Sequence, residues 1–187
     1  MPQGTHPSKS SVRYAEAGSL LAMTPRVMVA MLPFVASAFA QAPRPITFAG
    51  EFSNMRYTEE HAYGYTLQLW REGATVFGLF LASEGLAGDT PTGLLDDLKY
   101  DPRSGKLSFK AKLTMGVDAR LQPSHDLFEF DGTLGKAAVS GVLKRAAVSE
   151  RINLRKLEPN AALPQPRTYD EWKRQTDEII RRRGPKW

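Results

Sequence analysis

The sequence predicts an all-β protein: an antiparallel up-and-down barrel of about eight strands, or a strongly curved meander, with a C-terminal amphipathic α-helix. Three observations carry this expectation. Short segments of alternating polarity recur through residues 46–157, separated by clusters of Gly, Pro, Asp and Asn. No segment of helical period interrupts them, so neighbouring strands are expected to pair as hairpins rather than across crossover helices. The one convincing helical pattern comes last, in residues 168–183.

Residues 1–40 read as an N-terminal extension plus a cleavable signal peptide. Met23-Thr24-Pro25-Arg26 gives a short basic start, residues 27–39 form an apolar run, and Ala38-Phe39-Ala40 supplies an A-x-A cleavage site before Gln41. A transmembrane anchor is the competing reading, but the run is short for a span and Pro33 interrupts it. Residues 1–22 are polar and patternless, which fits translation starting at Met23. The expected location is therefore outside the cytoplasm, periplasmic or secreted. Cysteine is absent, which excludes disulfides, thiolate chemistry, cysteine zinc sites and a lipid-bearing cysteine.

Residues 41–158 are assigned to the barrel and 159–187 to a linker and helix. Residues 46–53 alternate Ile46, Phe48, Gly50 and Phe52 against Thr47, Ala49, Glu51 and Ser53, as a half-buried strand does. Residues 54–61 read as a polar loop. Residues 63–82 read as the central hairpin, with Arg71-Glu72-Gly73 as a three-residue loop closed by a left-handed glycine. That register gathers Tyr63, Tyr65, Leu67, Leu69, Phe77, Leu79 and Leu81 on the inner face, and leaves Trp70, Val76, Phe80, Gly64 and Gly78 outside. Residues 83–93 form a longer connection, and residues 94–100 a strand weakened by Asp96 and Asp97. Asp101-Pro102-Arg103-Ser104-Gly105 is a strong turn signal. Residues 106–114 give the cleanest alternation, Leu107, Phe109, Ala111 and Leu113 against Lys106, Ser108, Lys110 and Lys112. Strands at 127–134, 138–144 and 151–157 complete the set.

In the last segment Thr168 and Glu171 have capping-box spacing, Asp170 and Glu171 occupy the first turn, and Arg181–Arg183 the last. Tyr169, Trp172, Thr176, Ile179 and Ile180 form an apolar stripe. The stripe is expected to dock on the outer wall of the hairpin. Contact of this helix with a membrane surface is the rival reading and is not favoured, because one short stripe and three arginines bind anionic lipid weakly.

The net charge of +5 suggests nucleic acid only until it is located. Residues 41–166 hold 15 basic and 15 acidic residues, and residues 167–187 hold seven and four. The basic excess belongs to the tail, and with export it argues against a nucleic-acid partner.

An eight-stranded antiparallel meander followed by a helix resembles, in outline, the lipocalin and avidin type of small barrel. The resemblance covers residues 46–183 and is architectural. Where lipocalins carry Gly-x-Trp on the first strand, this chain has Gly50-Glu51-Phe52, and it lacks the family's disulfides, so no binding residue is carried over. The chain also resembles exported bacterial β-proteins of undefined activity, which implies location and fold.

No catalytic motif stands out, and neither a metal site nor a cofactor site is expected. Glu59-Glu60-His61 is the densest polar cluster, but adjacent residues of an extended chain point apart. His125 lies between Ser124 and Asp126, and sequence adjacency does not build a triad. The candidate ligand contacts are Tyr63, Tyr65, Phe77 and Tyr100 inside the barrel, and Asp89 and Thr90 in the 83–93 connection. Buried tyrosine hydroxyls need polar partners, which points to a polar-tipped pocket. The expected function is an exported barrel that binds a small apolar or amphipathic ligand, or acts in the envelope through its surface. The alternative is a hydrolase or isomerase using Asp89, Glu59, Glu60 or His61 at the barrel mouth. Oligomeric state is not legible.

Overall fold

The structure, a computed structural model, describes residues 45–86, 88, 90–117, 119–158 and 165–186. The expected signal segment and Asp89 lie outside the described residues. Nine strands and one helix follow in order: β1 (Thr47–Ser53), β2 (Arg56–Tyr57), β3 (His61–Glu72), β4 (Thr75–Leu86), β5 (Thr92–Tyr100), β6 (Lys106–Leu113), β7 (Asp126–Leu134), β8 (Ala138–Arg145), β9 (Val148–Lys156) and α1 (Tyr169–Arg183). Eight of the strands form a closed antiparallel barrel, as expected, and β2 is an extra strand paired only to β3. Each strand from β3 to β9 pairs with its sequence neighbour, and β1 closes the ring by pairing with β3 and β9. The architecture agrees with the lipocalin-like outline.

The register of the central hairpin differs from the expected one. Glu72 pairs with Thr75, Trp70 with Phe77, Leu67 with Phe80 and Tyr65 with Ala82. The turn is two residues, Gly73-Ala74, with Gly73 at φ +59°, where a type II′ hairpin turn puts glycine. Odd positions of β3 therefore share a face with even positions of β4, and the assignment of β4 is inverted. Val76, Phe80 and Ala82 point inward with Leu67 and Leu69, while Phe77, Leu79 and Leu81 lie on the outer wall. Gly78 is needed for this pairing: a Cβ there would sit 2.0 Å from the Gln68 carbonyl oxygen.

Strands β3 and β4 are longer than expected, and β4 runs into the expected 83–93 loop as far as Leu86. The acidic pair on β5 is absorbed by a bulge. Asp97 sits at φ +50° where the β5–β6 register shifts, so Leu95 and Leu98 both pack against the core.

Side chains fill the barrel. Phe80 lies 5.5 Å from Phe128 and 5.6 Å from both Phe109 and Tyr65, ring centre to ring centre, and Phe109 stacks on Phe130 at 5.1 Å. A second apolar layer lies outside the wall. There Trp172 of α1 packs on Phe77 at 4.6 Å and on Trp70 at 5.7 Å, with Ile46 and Leu79 buried beside them. The helix thus docks on the outer wall as expected, through Trp172, Thr176 and Ile180, although Ile179 of the expected stripe is exposed. Thr168 Oγ1 caps the helix by accepting from Glu171 N–H, but the Glu171 carboxylate reaches Arg167 N–H instead of closing the box on Thr168.

Candidate functional site

The two ends of the barrel differ. The lower end carries the short turns at 73–74, 101–105 and 135–137. The upper end carries the connections 54–60, 87–91 and 114–125 and the turn 146–147. Strand alternation fixes which residues reach the upper mouth. Leu67, Ala82, Phe128, Leu143 and Ile152 are buried in the core. One step further up the same face of each strand stand Tyr65, Glu84, Asp126, Arg145 and Glu150. The inward side chains thus change from apolar to polar within one layer.

This layer is bonded together. Arg145 Nε donates to Asp126 Oδ1 at 2.8 Å, and its Nη1 donates to both oxygens of Glu84 at 2.8 Å. Ser124 Oγ donates to Asp126 Oδ2 at 2.6 Å, and the Tyr65 hydroxyl donates to Glu150 Oε1. The guanidinium lies 5.4 Å above the Phe128 ring, so the polar layer rests on the aromatic core. Burial alone would raise the Asp126 carboxyl, but the bonds from Arg145 and Ser124 and the Arg145 charge outweigh it and hold the group below its ordinary value. For Tyr65, burial first, and then the hydrogen bond and charge of Glu150, push the phenol well above its ordinary value of 10.0.

Two adjoining basins open on this layer. One, of about 290 Å³, is lined by Tyr65, Glu84, Leu143, Arg145, Val148 and Glu150. The other, of about 330 Å³, shares Tyr65, Glu84 and Glu150 and adds Asn54, Arg56 and Tyr63. Two carboxylates, Glu84 and Glu150, and two guanidinium groups, Arg145 and Arg56, line the pair; Arg145 is shared between Glu84 and Asp126 beneath, while Glu150 accepts from the Tyr65 hydroxyl.

The expected site residues do not form one site. Tyr63 and Tyr65 are brought together at the upper mouth, with Tyr63 stacked on His61 at 6.0 Å. Phe77 belongs to the outer wall, 5.1 Å from Tyr169 and under the helix, because the register places it there. Tyr100 is at the lower end, beneath the Arg71 guanidinium at 5.6 Å. Thr90 is buried and its carbonyl accepts from Thr92 Oγ1 at 3.1 Å. Glu59 and Glu60 are exposed beyond the mouth, and His61 opens β3. Among the described residues, no group of three or more acidic or histidine side chains is placed to hold a metal ion.

Sequence reasoning missed Glu84, Asp126, Arg145 and Glu150. Their signal was the alternation itself, carried one step past the last apolar residue of each strand. Comparison with protein families, characterised proteins and solved structures finds no match for this chain.

Proposed function

We propose that this is an exported binding protein that captures a small amphipathic ligand, with an amine as its polar head, at the upper mouth of the barrel. The observation that carries the proposal is the single polar layer of Tyr65, Glu84, Asp126, Arg145 and Glu150, set over a filled interior and open to solvent on one side. The filled interior argues against a deep apolar cavity and moves the expected ligand from inside the barrel to its mouth. Glu84, which shares its one guanidinium with Asp126, and Glu150, whose bond is to a neutral hydroxyl, favour a cationic head, and the neighbouring Val148 and Tyr63 offer apolar surface to a short tail. The signal-peptide pattern of residues 23–40 supports export to the periplasm or beyond.

Hydrolysis or isomerisation at this mouth needs a group that takes and releases a proton near neutrality. Asp126 is held ionised and Tyr65 protonated, so each keeps one form, which supports binding over acid–base turnover.

The test is a calorimetric titration with a medium-chain primary alkylamine and with the alcohol of equal chain length. The amine is expected to bind about tenfold more tightly than the alcohol, the worth of one charge-assisted hydrogen bond. Glu150→Gln is expected to remove that preference. Equal affinities, or no binding of either probe, overturn the proposal.

A further inference from the structure

The most exposed of the barrel's large apolar side chains stand at one end. Tyr57, Tyr63, Leu86, Val117, Leu121 and Val148 are each at least 47 % exposed, and all six stand at the upper end. They come from four separate connections or strand ends, one or two on each. Leu121 is the extreme case: it is 79 % exposed and sits at φ +59°, a backbone conformation a leucine rarely adopts, in the 114–125 connection.

The end of α1 lies beside this rim. Lys186 N–H donates to Thr114 Oγ1 at 2.8 Å, and Gly184 N–H bonds the Ile180 carbonyl. As a result Arg182, Arg183 and Lys186 line the same depression of about 440 Å³ as Leu86 and Val117. Glu84 also lines it, but its carboxylate is taken by Arg145. Glu59 and Glu60 belong to the β2–β3 turn, outside the depression.

We infer that this side of the rim seats the protein on an anionic lipid surface, with Leu86, Val117 and Leu121 entering the headgroup–acyl boundary and Arg183 and Lys186 meeting lipid phosphates, while Arg182 is paired with Glu178 at 2.7 Å. Apolar residues distributed over several strand ends and connections, with no buried apolar core between them, make a poor protein interface, which needs a contiguous core. They suit a fluid surface, where each side chain finds hydrocarbon independently, and basic side chains next to them match the charge of anionic headgroups. The contact differs from a helix lying flat on the membrane, because Trp172, Thr176 and Ile180 of the α1 stripe are already packed against the barrel. The outer faces of β6 to β8 carry Lys110, Glu129, Asp131 and Lys144, so the contact is peripheral and end-on. The inference goes beyond ligand capture and stands without it: the alkylamine titration reads the mouth, and vesicle binding reads the rim.

The test is co-sedimentation of the mature chain with phosphatidylglycerol-containing vesicles and with pure phosphatidylcholine vesicles, over a range of salt. Binding to the anionic vesicles is expected to be about tenfold stronger and to weaken with salt. The variant Leu86→Ser/Val117→Ser/Leu121→Asn is expected to lose binding to both vesicle types, with asparagine chosen because it tolerates the backbone at position 121. Arg183→Gln/Lys186→Gln is expected to lose the anionic preference alone. Failure of the unsubstituted chain to bind anionic vesicles at low salt overturns the inference, as does binding that neither variant changes. A dimer that the apolar variant alone dissociates, with no vesicle binding, assigns the rim to a second copy of this chain and overturns it as well.

Discussion

Trp172 is the residue on which the helix–barrel contact turns. It is 5 % exposed, and its ring contacts Phe77 at 4.6 Å, Tyr169 at 5.6 Å and Trp70 at 5.7 Å. Truncating a buried tryptophan to alanine costs about 3–5 kcal/mol, and aromatic pairs add about 0.5–1.5 kcal/mol beyond the area they bury. Against that stands an unmet donor. The indole N–H of Trp172 is buried with no hydrogen-bond partner among the described residues, as is that of Trp70. Deleting a buried unpaired donor returns about 1–3 kcal/mol. Trp172→Ala is therefore expected at the low end, a loss of about 3 kcal/mol. Trp172→Phe keeps an apolar ring against Phe77 and discards the donor, so its loss is expected at about 1 kcal/mol or less. Urea unfolding followed by near-ultraviolet circular dichroism reads both. A loss below about 1 kcal/mol for the alanine variant would show that α1 is not seated on the wall. Equal losses for the two variants would remove the argument from the unpaired indole.

Phe80→Ala, at the centre of the inner ring cluster, is expected to cost about 4 kcal/mol, and Phe77→Ala on the half-buried wall about 2 kcal/mol; the reverse order in denaturant unfolding would return the hairpin to its three-residue-turn register. Gly73→Ala is expected to cost about 1 kcal/mol for its positive φ, while Gly78→Ala, whose Cβ meets a backbone oxygen, costs more than about 2 kcal/mol; thermal melts giving equal losses refute the pairing of Leu69 with Gly78. The Asp126 carboxyl titrates below its ordinary 3.8 in the folded chain, so its contribution to stability is present above that value and is lost as pH falls through the lower folded value. The melting-temperature gap between the natural chain and Asp126→Asn is therefore expected to be full at neutral pH and to close in acid; a gap independent of pH contradicts the Arg145 pairing.

The strand pattern and the terminal helix were legible because each alternates or repeats over at least one polar face. Strand β6 shows this best, with Leu107, Phe109, Ala111 and Leu113 set against lysines and serine. The hairpin register was not legible for the converse reason. In β4, Val76, Phe77, Leu79, Phe80 and Leu81 are apolar on both faces, since one face lines the core and the other receives α1. Period-two burial cannot choose between registers when no face is polar. The mouth was half legible. The Tyr65 hydroxyl announced a need for a partner, but the partner is Glu150, and only the folded ring brings the start of β9 to the upper part of β3.

The ring is closed very unevenly. Strand β1 has six ladder partners on β3 but only two on β9, Lys156 and Arg155, supplemented by Leu157 N–H donating to the Glu51 carbonyl. The β1–β3 pairing steps over the two-residue β2 and the others join sequence neighbours, so each carries a small loop-closure cost, whereas the β1–β9 seam joins the two ends of the barrel sequence for the return of a short ladder. In kinetic terms the seam is the high-contact-order step, expected to form after the hairpins and to open before them. The residues before α1 hold the other end of β1: Pro45 bridges Thr168, and Ile46 N–H bonds the Arg167 carbonyl. A chain that emerges N-terminus first therefore cannot complete its barrel until β9 has arrived, and the start of β1 gains its bridge to residues 167–168 only after that.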